Sequence, residues 1–338
     1  MSRLDSRPFP IAAIGATIVL AALASGCVGT LDSDGSRRGD FPTFDVQGHR
    51  GARGLRPENT LPAFEHALEL GVSTLELDLG LSRDGQVVVT HEPRIEPGLC
   101  LDSHGEPLGV PGPRVLDLDL AELERFDCGL NPDPQRFPEP PRRNLPGSRI
   151  PTLVEVFELV QSRGDREVRF NLEVKLEPGS PDTPEPARFV PLVLAVIERH
   201  GLLERCTLQS FDWKALRIAK TLAPALRTSA LLGAPDTLGP VWQDGLALED
   251  YGSVLRLLLA ARAYVDDFSP YWEHLLPGQG YLGASVADYQ RAGFRVLPWT
   301  VNDVPTMERL IDLGVDGIIS DRPDLLLEVT RARGMRVR

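Results

Sequence analysis

The sequence predicts an α/β fold, a closed (β/α)8 or TIM barrel with one long insertion after its second strand region. Three observations lead there. From residue 44 onward, short apolar runs alternate with segments of helical period, the pattern of repeated βα units. Gly71, Gly164, Gly201, Gly293 and Gly314 follow helical segments, where a left-handed residue commonly ends a helix. Residues with useful chemistry (His49, Glu76, Asp78, Glu173, Lys175, Trp299 and Asp321) fall at or just past the C-terminal ends of strand candidates. That is the face on which a barrel assembles its site. A doubly wound open sheet is the alternative, but no glycine-rich nucleotide fingerprint supports it.

The chain begins with Arg3 and Arg7 before an apolar run over 11–24, short for a membrane span and suited to a signal-peptide core. Leu23-Ala24-Ser25-Gly26-Cys27 is similar to a bacterial lipobox. Residues 1–26 therefore read as a lipoprotein signal peptide, and Cys27 as the lipidated first residue of the mature chain. Val28 in place of aspartate favours anchoring to the outer membrane, facing the periplasm. An ordinary secretory signal and a soluble exported protein is the alternative. Residues 27–43, rich in Gly, Asp, Ser and Arg, read as a flexible tether, and 44–338 as the barrel domain.

Strands are predicted over 44–48, 74–79, 87–90, 168–176, 206–210, 228–232, 264–268, 295–300 and 317–320. The 87–90 segment is expected to fold back on its predecessor through the Asp84-Gly85 turn, leaving eight barrel strands. Helices are predicted over 61–70, 153–162, 189–200, 213–222, 248–263, 286–292, 305–313 and 323–331. Two segments interrupt the alternation. Residues 92–150 are rich in Pro, Gly and charge; residues 177–187 form a shorter loop. Long loops beside a site commonly act as lids or specificity elements. Export permits disulfides, so Cys100 and Cys128, both inside the long insertion, are expected to pair and close it. Cys206, in an apolar strand, reads as a buried thiol.

Composition is ordinary for a globular protein, with 42% hydrophobic and 25% charged residues. A net charge of −12 argues against a nucleic-acid partner, which demands a basic face. Glu76 and Asp78 stand at i and i+2 of one strand, so both side chains reach the same face. With Glu173 they supply three hard oxygen ligands of the kind that suits Ca²⁺ or Mg²⁺. Without a cation, burying three carboxylates would be costly. His49 and His91 are candidate general acid and base, since imidazole titrates near neutrality. Arg50 and Lys175 suit a phosphate, one as a fork and the other as a point charge. Pro57-Glu58-Asn59-Thr60 reads as a helix start, with Asn59 or Thr60 capping.

Gly48-His49-Arg50-Gly51, Pro57-Glu58-Asn59-Thr60, Leu75-Glu76-Leu77-Asp78, His91-Glu92 and Asn171-Leu172-Glu173-Val174-Lys175, in this order, resemble the glycerophosphodiester phosphodiesterase family. The later segments Gln209-Ser210-Phe211 and Pro298-Trp299-Thr300-Val301-Asn302 extend the likeness, which covers about residues 44–324 and is interrupted by the 92–150 insertion. The resemblance implies a TIM barrel whose acids Glu76, Asp78 and Glu173 bind one divalent cation, with His49 and His91 as the catalytic pair. It implies hydrolysis of a small glycerophosphodiester, such as glycerophosphocholine or glycerophosphoethanolamine, to glycerol 3-phosphate and an alcohol. Attack by water and attack by a neighbouring glycerol hydroxyl both remain open, as does the division of acid and base between the histidines. Trp299 is either a wall of the alcohol-binding pocket or a core aromatic. Two other functions are compatible with the pattern: a phosphodiesterase of lysophospholipids or phosphoinositides on the same barrel, and a non-catalytic binding lipoprotein.

Overall fold

The computed structural model describes residues 44–233, 237–278 and 282–337. The signal peptide, Cys27 and the tether, expected within 1–43, lie outside the described residues. The elements run β1 (Asp45–Gly48), α1 (Leu61–Leu70), β2 (Thr74–Leu81), β3 (Val87–Val89), α2 (Leu120–Leu123), α3 (Leu153–Ser162) and β4 (Arg169–Val174). They continue through α4 (Pro186–Arg199), β5 (Cys206–Ser210), α5 (Trp213–Leu222), β6 (Arg227–Leu232), α6 (Leu248–Tyr251), α7 (Val254–Ala260) and β7 (Asp267–Pro270). The last are α8 (Val286–Arg291), β8 (Arg295–Val296), α9 (Val304–Asp312), β9 (Gly317–Ser320) and α10 (Pro323–Ala332).

Eight parallel strands pair in the order β8-β7-β6-β5-β4-β2-β1-β9, with β3 folded antiparallel onto β2 as the Asp84-Gly85 turn predicts. Between the end strands the ring closes through irregular backbone bonds: Asp316 N to Val296 O (3.0 Å), Ile319 N to Pro298 O (3.0 Å) and Val301 N to Ile319 O (3.1 Å). The result is a nearly closed (β/α)8 barrel.

The strands alternate with period two, but the polar set faces inward. Leu75, Leu77 and Leu79 of β2 and Phe170, Leu172 and Val174 of β4 are buried outside the ring, in the continuous core shared with the helices. Each such side chain contributes roughly 1.5–3 kcal/mol on burial. The intervening Thr74, Glu76, Asp78, Asn171 and Glu173 point into the barrel. Register places Glu76 beside Asn171, Asp78 beside Glu173, and Glu173 beside Gln209. Buried polar groups of this kind persist only when paired, and they are. At the closed end Asp45 accepts from Ser73 and Thr74 and faces Arg295, while Asp267 takes both forks of Arg227.

The structure corrects several boundaries. The predicted 248–263 helix is two helices, because Gly252 adopts φ 71° after α6 and Ser253 recaps the chain into α7. The 264–268 strand is displaced to Asp267–Pro270, since the Tyr264 N–H still closes the turn behind α7 on Ala261 O. Of the 295–300 strand only Arg295–Val296 forms a regular ladder; the rest is the irregular closure just described. The fourth helix starts earlier, at Pro186, where proline is tolerated at the first helical position. The 92–150 insertion holds its own short helix α2, capped reciprocally by Asp119 and Glu122.

That insertion packs Ile95, Cys100, Val115, Leu123, Cys128 and Ile150 with Val88 of β3 into a small core. Cys100 and Cys128 are bonded, and Cys206 is a buried free thiol. Fully buried Arg142 ties the insertion to the segment after β1, donating to Arg53 O (2.7 Å), Arg56 O (2.7 Å) and Leu130 O (2.6 Å).

Candidate active site

The site begins where β1 ends. A side chain at Gly48 would strike the Gly51 carbonyl, and Gly51 itself adopts φ 83°, so both glycines are required for the turn. The turn brings the Arg50 N–H onto Glu76 Oε2 (2.8 Å) and Gly51 N onto Glu76 O (3.2 Å). Arg50 (φ 50°) and Asn59 (φ 54°) sit in the left-handed region, joined through Asn59 N to Arg50 O at 3.1 Å.

Glu76, Asp78 and Glu173 converge at the mouth, each buried, with ligand oxygens within 4.8 Å of one another. Asp78 Oδ1 is buried with no hydrogen-bond partner among the described residues. Burial, then the neighbouring Asp78 and Glu173, pushes the Glu76 carboxyl well above its ordinary range. Glu173 is raised by burial despite Lys175. Asp78 goes the other way, because Lys175 and Arg50 outweigh its burial. Three crowded carboxylates, with Lys175 Nζ no nearer to Asp78 Oδ1 than 3.6 Å, fit a hard divalent cation, which would relieve the repulsion and take a lone pair that no hydrogen bond uses.

His49 and His91 line the same cavity, of about 320 Å³, and are built alike. His49 Nδ1 meets Asp321 Oδ1 at 2.6 Å, and His91 Nδ1 meets Glu92 Oε1 at 2.6 Å, leaving Nε2 of each for a ligand. The pairs differ in exposure: Asp321 is fully buried, whereas Glu92 is exposed. Burial draws both imidazoles below their ordinary value, against the raising effect of Asp321 on His49 and, for His91, reinforced by Lys175.

Arg50 and Lys175 both line the cavity but are already engaged. Arg50 pairs with Glu58 and with Asp78 (3.1 Å); Lys175 pairs with Glu173 (2.7 Å) and Asp78 (3.6 Å). Trp299 is a wall of the cavity, not a core residue. Its indole donates to Ser269 O (2.8 Å), and Phe211 and Tyr271 contact its ring at centroid distances of 5.5 and 5.6 Å.

Several functional residues escaped the sequence reading. Asp321 was visible only as a strand-end acid; its pairing with His49 spans 272 positions. Residues 57–60 do lead into α1, as expected, but the capping part of that reading needs correction. Thr60 is the N-cap of α1 but makes no side-chain cap; its hydroxyl donates to Pro57 O (2.6 Å). Asn59 instead donates to Asp78 Oδ2 (2.8 Å), and Glu58 holds Arg50 and Arg53. The segment therefore orients the acid cluster. Arg136, from the insertion, reaches the cavity and bonds Asp321 Oδ2 (3.1 Å); nothing in its local sequence marks it. The remaining histidines stay outside the cavity, with His66 beside Glu69, His200 on Val196 O and His274 on Gly233 O.

Comparison with known proteins agrees with this geometry. The family model described as "Glycerophosphoryl diester phosphodiesterase family" matches residues 49–325. A glycerophosphodiester phosphodiesterase of Caldanaerobacter subterraneus subsp. tengcongensis is 32% identical over 293 residues, 86% of this chain and 98% of the relative. A solved structure from Silicibacter pomeroyi DSS-3, assigned to the glycerophosphoryl diester phosphodiesterases, is 31% identical and superposes with a TM-score of 0.75, covering 88% of this chain and 96% of its own. An Oleispira antarctica phosphodiesterase solved with sn-glycerol 3-phosphate shares the fold at 23% identity, with a TM-score of 0.62 and coverage of 85% and 96%.

Proposed function

The chain belongs to the glycerophosphoryl diester phosphodiesterase family, and from that membership we propose that it hydrolyses small glycerophosphodiesters, glycerophosphocholine and glycerophosphoethanolamine among them, with His49 and His91 as acid and base around one Ca²⁺ or Mg²⁺. The observation that carries the reading is the shared cavity, where two imidazoles, each with Nδ1 bonded to a carboxylate, flank three convergent carboxylates.

Glu76, Asp78 and Glu173 would hold the cation, which when bound supplies charge stabilisation for the phosphoryl oxygens. Burial favours the neutral form of both imidazoles while Asp321 and Glu92 favour the charged one, so each can take up or give a proton near neutrality. One takes the proton from the attacking water or glycerol hydroxyl; the other, protonated, returns one to the leaving alkoxide. Asp321 and Glu92 hold the rings and favour the imidazolium that forms in turn. Arg50 and Lys175 would offset charge gathering on the phosphoryl oxygens, and occupation of the acid cluster would free them from part of their carboxylate pairing. Phe211, Tyr271 and Trp299 offer an apolar wall to one arm of the diester.

The test is release of alcohol from glycerophosphocholine. Activity should vanish in EDTA and return with Ca²⁺ or Mg²⁺; His49→Ala and His91→Ala should each lower kcat at least about 100-fold. Full turnover in chelator, or in either variant, would reject the scheme. Lysophosphatidylcholine assayed alongside should be a poor substrate.

The disulfide in the insertion supports an exported protein. The reading includes removal of residues 1–26 and lipidation of Cys27, with the barrel held at the periplasmic face of a membrane on a tether spanning 27–43. Cys27→Ser should move the protein from the membrane to the soluble fraction.

A further inference from the structure

Five polar side chains thread the inside of the barrel from its closed end to the acid cluster. Arg295 Nη2 donates to Asp45 Oδ2 (3.2 Å), and Gln47 Nε2 donates to the same oxygen (2.9 Å). Asn171 Nδ2 donates both to Gln47 Oε1 (2.8 Å) and to Gln209 Oε1 (3.0 Å). Gln209 Nε2 then donates to Glu76 Oε1 (3.1 Å). Gln47, Asn171 and Gln209 are all buried, so none can exchange these partners for bulk water.

The direction of every amide in this chain is fixed by its ends. An ionised carboxylate only accepts, so Gln47 turns its NH2 group toward Asp45, and Gln209 turns its own toward Glu76 in the ionised form that a cation would require. Both glutamines then present carbonyl oxygens to the middle of the barrel. A single group there with two N–H donors satisfies both at once, and Asn171 is that group. Its own Oδ1 is buried with no hydrogen-bond partner among the described residues, so the residue is committed to donating. A barrel filled by aliphatic side chains would avoid this unsatisfied oxygen, and the arrangement therefore needs a reason beyond packing.

The reason lies at Glu76. Its two oxygens are held from opposite sides, Oε2 by the Arg50 N–H and Oε1 by Gln209. We infer that Gln209, oriented through Asn171 and Gln47, is a positioning residue that fixes the Glu76 carboxylate for cation binding. The inference rests on the proposed cation site and extends it to residues that do not themselves touch the ion. Hydrogen bonds to ligand side chains commonly change metal affinity 10- to 100-fold, and the chain predicts effects that fade with distance from Glu76.

The experiment is calorimetric titration of the full exported domain, stripped of metal, with CaCl2 and with MgCl2. Gln209→Met keeps the volume and removes the donor; it should weaken the affinity at least about tenfold. Asn171→Leu should weaken it less, and Gln47→Leu least. For Gln209→Met the kcat measured at saturating cation should recover most of the wild-type value, which a general loss of structure would not allow. Should Gln209→Met fail to fold, Asn171→Leu decides: at least a threefold loss supports the inference, and unchanged affinity overturns it. Failure of the wild type to bind either cation would reject the cation site itself. Normal wild-type binding with unaltered affinity in Gln209→Met would reject only the positioning role.

Discussion

At the level of single side chains, what matters is which carboxylate each reactive group leans on. His49 leans on Asp321, whose second oxygen is shared between Asn302 Nδ2 (2.7 Å) and Arg136 Nη2 (3.1 Å). His49, and after it the charges of Arg53 and Arg136, outweigh the burial of this acid and hold it well below the ordinary carboxylate range. It therefore stays a charged acceptor and holds His49 with Nε2 toward the cavity. Asp321→Asn keeps the shape but can offer an amide nitrogen where an oxygen is needed. The expected outcome is a fall in kcat of at least about 100-fold with KM and cation affinity within a few-fold of wild type. Steady-state kinetics with a parallel cation titration check it; near-normal kcat would show that His49 needs no support. Histidines and acids near a strand end could be picked out by residue type alone. Asp321 could not be assigned its role that way, because a hydrogen bond across 272 positions leaves no trace in local spacing.

Among the elements, the insertion departs furthest from simple βα repetition. It is rooted directly after His91, packs its small core beside β3, and sends Arg136 back to Asp321 on the far side of the mouth. Phe137, buried next to it, is flanked by the Arg53 and Arg136 guanidiniums at 5.1 and 4.9 Å. The Cys100–Cys128 bond closes 28 positions, for which loop-entropy reasoning gives roughly 3–4 kcal/mol on the unfolded side. Cys100→Ser with Cys128→Ser should lower the melting temperature and raise KM for glycerophosphocholine, leaving cation affinity unchanged. If KM holds while the melting temperature falls, the insertion stabilises the barrel without shaping the site. The pairing of these cysteines could be anticipated because both lie in one loop of a chain whose N-terminus reads as an export signal. Arg136 could not, because a Pro-rich segment has no periodicity from which to read direction.

For the whole molecule, the polar lining of the barrel divides into two charged ends. The mouth holds the acid cluster; the opposite end holds Asp267, fully buried, with both oxygens on Arg227 at 2.6 and 2.7 Å. Burial opposes the charge of Asp267, but Arg227 and Arg295 prevail and hold its carboxyl below the ordinary value. A carboxylate lowered in the folded state stabilises fully above its unfolded pKa and loses that contribution as pH falls through the folded one. The barrel should therefore lose stability progressively below about pH 4, and Asp267→Asn should flatten that part of the profile. At pH 7 the same variant removes the carboxylate that takes both forks of Arg227 and should cost about 2–4 kcal/mol, less than for a fully buried pair because Arg227 is partly exposed. Urea titrations of both proteins from pH 3 to 7 provide the check; parallel profiles would show that Asp267 does not govern acid stability.

The sequence alone determined the βα order, the eight-strand count, the glycine helix ends, the hairpin after β2 and the identity of the reactive side chains. These depend on period, turn chemistry and residue type, which are local. The tertiary structure decided which way each strand faces, where the ring closes irregularly around β8, and which carboxylate supports which base. It also moved Asn59 from a helix cap to the acid cluster and placed Trp299 in the cavity wall. These outcomes depend on strand register and ring closure, which bring residues more than a hundred positions apart within 3 Å, such as Asn171 and Gln47. No local pattern encodes a distance of that kind; it exists only once the barrel has closed.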